Sequence, residues 1–125
     1  VTSRSEAWFS VVQYVPDLDR GEGVNVGVAL FCPDSGRVRV ALSETNDAVR
    51  TRFAGHDFDD EGLSYAKQSL KRRLERATVV TLAAAQEVVD REANELVLSP
   101  LRATRCAAEE ETLEGLRRAL VEPPR

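Results

Sequence analysis

The sequence predicts one α+β domain over residues 1–125: an N-terminal antiparallel β-meander with helices on one face, short C-terminal strands and a terminal helix. Three observations predict it. Segments rich in β-branched and aromatic residues crowd into the first third of the chain, with breaker clusters between them. Residues 59–77 and 109–121 instead repeat apolar residues at helical spacing. The chain's 125 residues, 42% hydrophobic and 30% charged, match the size and composition of a single ordinary globular domain.

Trp8 to Val15 carries apolar side chains on both alternating faces, which marks an inner strand. Pro16 to Gly23 (PDLDRGEG) is a breaker loop. Val24 to Cys32 is the second strand; strict alternation places Val24, Val26, Val28, Leu30 and Cys32 on one bulky face and Asn25, Gly27 and Ala29 on a small one. A glycine within a strand implies close packing, so a helix or ligand is expected over Gly27. Pro33 to Gly36 turns the chain into Arg37 to Leu42, a half-exposed hairpin partner.

Ser43, Asn46 or Asp47 caps a short helix through Phe53, with Val49 and Phe53 on one face. Asp59 to Glu61 open a longer helix to about Ala77, buried through Leu63, Ala66, Leu70 and Leu74. Residues 78–94 mix strand and helix signals, with a helix from about Leu82 as the preferred reading. Pro100 separates two short strands, Glu95 to Ser99 and Leu101 to Cys106, and confines them to a sheet edge or a bulge. The final helix spans about Glu109 to Val121, with Leu113, Leu116 and Leu120 as its apolar stripe.

Charge and cysteine usage narrow the function classes. The net charge of −4 and a pI near 5.1 argue against duplex nucleic acid as a ligand. The surplus is uneven: residues 1–62 hold 11 acids and 6 bases, residues 63–125 hold 10 acids and 11 bases. No apolar run is long enough to cross a bilayer and no basic-then-apolar leader opens the sequence, so a cytoplasmic location is expected. Cys32, Cys106 and His56 fall short of the four ligands of a zinc site, and both thiols read as small buried hydrophobes. No metal site and no cofactor is expected.

Three constellations are candidates for chemistry. Asp17, Asp19, Arg20 and Glu22, with Asn25 and Gly27 beyond them, place carboxylates on a glycine-hinged loop where a divalent cation could bind. The plainer reading is an internal Arg20–Glu22 pair that fixes the loop. Lys67, Lys71, Arg72, Arg73 and Arg76 form a basic stripe fit for phosphates or an acidic partner, or simply a solvated helix face, with no aromatic residue seen to interleave for base stacking. His56 beside Asp57 invites general-base chemistry, but no nucleophile elbow, phosphate loop or dinucleotide fingerprint accompanies it.

Residues 14–36 resemble a bacterial family known as domain-of-unknown-function family 3037. The match runs in order through Tyr14, Pro16, Asp17, Arg20, Gly21, Glu22, Asn25, Val26, Gly27, Val28, Phe31 and Pro33, and residues 96–121 are similar in having a short strand pair and a Leu-rich terminal helix. Residues 56–95 carry no such resemblance. The resemblance implies a small protein whose gene often neighbours that of a HipA-like kinase, without an established activity. The expected function is a non-catalytic accessory domain that docks on a partner protein such as that kinase. The alternatives are a small phosphate- or nucleotide-directed, metal-dependent enzyme using residues 17–22, and nucleic-acid binding through residues 67–76.

Overall fold

The computed structural model describes residues 5–17, 22–53, 59–92 and 96–121, and at Ser5, Asp17 and Glu22 the backbone alone. Five strands and four helices follow in the order β1 (Ser5–Asp17), β2 (Glu22–Cys32), β3 (Arg37–Leu42), α1 (Asp47–Arg52), α2 (Asp60–Arg76), α3 (Leu82–Arg91), β4 (Leu96–Leu98), β5 (Arg102–Cys106) and α4 (Glu109–Leu120). The strands make one antiparallel sheet in which β3, β2 and β1 are successive neighbours, while β4 and β5 share the far side of β1. Gly36, at φ 74°, closes the β2–β3 turn in the left-handed conformation that glycine adopts without strain.

Pro100 explains the divided edge. β4 pairs with Val12 to Tyr14 and β5 with Ser5 to Phe9, and the proline interrupts the ladder between them. Ser99 repairs the gap with its side chain. The Val11 amide donates to Ser99 Oγ at 2.8 Å, the Ser99 amide donates to the Val11 carbonyl at 2.9 Å, and buried Ser10 donates its hydroxyl to the Ser99 carbonyl at 2.6 Å.

The sheet is covered on both faces. Leu63, Leu70 and Leu74 of α2, Val49 of α1 and Val88 of α3 pack with Val12, Ala29, Phe31, Val38 and Val40 on one side. Leu113, Leu116 and Leu120 of α4 cover Phe9, Val28, Leu30, Cys32 and Cys106 on the other. α3 starts at Leu82, with Thr81 Oγ1 accepting from the Ala84 amide at 3.1 Å; α2 starts behind Asp59, whose carboxylate accepts from the Gly62 amide at 2.9 Å.

One expected face is wrong. Val12 lies opposite Gly27 but Gln13 lies opposite Asn25, so Val26 is an extra residue that bulges out of the β1–β2 register. The bulge reverses the alternation. Val26 joins Ala29 and Phe31 under α2, while Val28, Leu30 and Cys32 lie under α4.

Candidate functional site

The bulge separates two residues that alternation alone places side by side. Asn25 turns to the α4 side, where its amide nitrogen donates to the Leu120 carbonyl at 2.8 Å and its amide oxygen accepts from Gln13 Nε2 at 3.0 Å. It thus caps the last turn of α4, whose final carbonyls have no partner within the helix. Gly27 stays on the α2 side. A Cβ there would meet Leu42 Cδ2 at 2.7 Å and the Ala41 carbonyl oxygen at 3.0 Å, so the space expected for a helix or ligand is filled by β3 itself.

The acidic loop offers less to describe. Asp17 and Glu22 face each other across the β1–β2 ladder, whereas Asp19 and Arg20 lie outside the described residues, as do His56 and Asp57. Among the described residues, no group of three or more His, Cys, Asp and Glu side chains is placed to hold a metal ion.

The basic stripe divides by environment. Lys67 does not belong to the exposed face: it is 4% exposed and donates to the Ser43 carbonyl at 3.0 Å, Ser43 Oγ at 2.9 Å and Asn46 Oδ1 at 3.0 Å. Burial lowers its pKa below the ordinary lysine value, and the charge of Asp60 opposes that shift. Arg73 is held by Glu92 at 3.0 Å and by Ser69 Oγ at 2.7 Å, and with Glu92 it lines a cleft of about 400 Å³ between the ends of α2 and α3. Lys71 is half-buried, and Arg72 and Arg76 are exposed, as is Arg73 despite its contacts. They have a companion that the sequence reading missed. Tyr65, 73% exposed, precedes Arg72 by seven residues and Arg76 by eleven, two and three turns of one helix line.

The α4 end of the sheet is a second polar cluster. Glu109 accepts from Arg39 Nε and from Ser35 Oγ, both at 2.8 Å, which pins the first turn of α4 to the β2–β3 hairpin. Burial pushes the Glu109 carboxyl up, but hydrogen bonds from Ser35 and Arg39, with the charges of Arg39 and Arg37, outweigh it and hold the group below its usual value. Below them, burial pushes the Cys32 thiol up to about 12, aided by the Glu109 charge and by neighbouring Cys106, so the thiolate needed for nucleophilic or metal chemistry is suppressed. Cys106, 74 positions away in sequence, is buried in the same cluster.

Residues 9–121 match the family model described as "Protein of unknown function (DUF3037)". The chain belongs to this family. No curated protein and no solved structure shows significant similarity to it. Asn25 caps α4, Gly27 admits Leu42, and Tyr14 packs edge-on against Phe53 with ring centroids 5.9 Å apart. No described helix is long and apolar enough to cross a membrane.

Proposed function

We propose that this DUF3037 protein is an accessory domain without catalysis of its own, which docks on a partner protein, the partner being a HipA-like kinase. One observation carries the reading: Asn25, Gly27, Lys67 and Arg73, polar or small candidates from the sequence, are all engaged in internal contacts. Among the described residues, what remains for recognition is surface, including exposed Tyr65, Arg72, Arg76, Val80 and Leu82 and the outer edge of β5. The kinase as partner rests on the family resemblance alone.

Co-expression of the protein with a HipA-like kinase from the same genome, followed by sizing, tests the reading. Co-elution supports it, and separate elution of two folded proteins overturns the kinase as partner. A thermal-shift panel of nucleotides and divalent cations tests the enzymatic alternative through residues 17–22. A true ligand at 100 times its Kd raises stability by about 2.7 kcal/mol.

A further inference from the structure

The two edges of the sheet are treated differently. Along β3, the Glu75 carboxylate accepts from the Val40 amide at 3.1 Å, Thr78 bridges to Arg37, and the Val79 amide donates to the Gly36 carbonyl at 2.9 Å, so helix and loop close that edge. Along β5 nothing comparable occurs. β5 pairs with β1 only, and among the described residues no strand, helix or side chain bonds to its outer backbone groups.

Such an edge is a template for another extended chain. Arg102, Ala103 and Arg105 are exposed. Phe9 and Ala7, which lie opposite Arg102 and Thr104, belong to the cluster under α4, so Arg102 and Thr104 project to the α4 side and Arg105 to the other. No described carboxylate pairs with either arginine, although Glu6 lies opposite Arg105 on β1. Beside the edge, α4, β5 and the turn between them border an open groove of about 370 Å³ whose lining includes Thr104, Arg105, Glu111, Thr112, Gly115 and Leu116. Gly115 sits in the interior of α4, where a Cβ would meet nothing within 4 Å. The chain's own packing therefore does not require a glycine at this point, and its absent side chain keeps the groove open.

Charge decides the occupant. A second copy of β5 does not supply the complement, because residues 101–108 carry Arg102 and Arg105 and no acid. We infer that the β5 edge receives an extended segment of a partner protein by strand addition, with carboxylates three residues apart facing Arg105 and Arg102 and a large apolar side chain between them directed at the groove beside Gly115. The inference rests on the docking role proposed above and names the surface that performs it.

The test uses the whole protein and a synthetic blocked hexapeptide, Ser-Glu-Phe-Thr-Glu-Ser, titrated while backbone amide resonances are followed. Antiparallel addition is expected to shift the amides of residues 102–106 and of the α4 face at Thr112 and Gly115. The doubly reversed variant Arg102→Glu, Arg105→Glu is expected to weaken binding at least tenfold, and the same peptide with Lys in place of Glu is expected not to bind. Gly115→Gln fills the groove without unfolding α4; weaker binding together with an unchanged or higher Tm supports the site. An absence of shifts along β5 at millimolar peptide, or shifts centred on Tyr65 and Arg72 instead, overturns it. Running the doubly reversed variant beside the wild type in the kinase co-elution separates the two claims. If both co-elute, the edge fails and the docking role stands; if neither does, the kinase fails and the peptide titration still decides the edge.

Discussion

Lys67 Nζ lies 3.0 Å from Asn46 Oδ1, and both residues are buried, at 4% and 6% exposure. The remaining contacts of the amine are also neutral oxygens, the carbonyl and hydroxyl of Ser43 and, at 3.5 Å, the Thr45 carbonyl. Asn46 in turn donates to Asp60 Oδ1 at 3.0 Å and to Ser64 Oγ at 2.9 Å, so it relays a distant carboxylate to the lysine and spends its side chain on α2, not on capping α1. Lys67→Met removes the donor and strands the buried Asn46 oxygen and the partly buried oxygens of Ser43, with an expected loss of about 1–3 kcal/mol. Combined with Asn46→Ala, the expected loss is smaller than the sum of the two single losses, as denaturant titration of the four proteins will show. Strict additivity would mean that the two residues do not act as one network.

The same burial makes stability depend on pH. The folded Lys67 amine releases its proton at lower pH than the unfolded one, whose pKa is near 10.4. Between the two values the unfolded state binds more protons, so folding stability rises with pH there and is lowest where both states are protonated. Urea midpoints followed as pH rises toward the unfolded pKa are expected to climb for the wild type relative to Lys67→Met. A constant difference between the two would refute the assignment.

These residues also show where a sequence is readable. The order and type of the elements are legible because each depends on near neighbours: Thr81 before the apolar spacing of α3, Asp59 before α2, Pro100 between β4 and β5. Lys67 reads as one more cation of a stripe because the oxygens that bury it lie 21 to 24 residues away, beyond the reach of helical periodicity. Tyr65 shares a helix line with Arg72, and a count of sevens would have found it. The bulge at Val26 is harder. A single unpaired residue leaves the apolar pattern of β2 looking regular while exchanging its faces.

Gly27→Ala probes the second consequence of that bulge. The new methyl would stand 2.7 Å from Leu42 Cδ2, which can rotate away, and 3.0 Å from the Ala41 carbonyl oxygen, which is held in the β2–β3 ladder. The expected destabilisation is about 1–3 kcal/mol, the range for overpacked cores. Adding Leu42→Ala is expected to recover only part of it, because the backbone contact persists. Full recovery in chemical denaturation would place the entire clash on the side chain.

Asn25 and α4 are coupled across the sheet. Every apolar residue of the α4 stripe is only partly buried, so the helix depends on polar attachment at its two ends more than a core helix does. Asn25→Ala is expected to free the Leu120 carbonyl and Gln13, at a cost of about 1–3 kcal/mol. Hydrogen exchange should then quicken selectively in the last turn of α4, with α2 unchanged. Uniform acceleration throughout the protein would instead show that the cap serves global and not local stability.

At the other end of α4, Glu109 supplies the acid-sensitive attachment. Its folded pKa is held below the unfolded value of about 4.3, so its contribution is complete above that pH and is lost as pH falls through the folded value. Glu109→Gln is expected to cost about 1 kcal/mol at neutral pH, since the Arg39 pair is partly exposed and the helix start loses a favourable negative charge. As pH falls through the folded value the gap between variant and wild type should narrow, because the wild-type carboxyl becomes protonated there as well. Circular dichroism melts at pH 7, 5 and 3 measure both effects. A gap that stays constant down to pH 3 would show that the carboxylate charge is not what fastens α4 to Arg39 and Ser35.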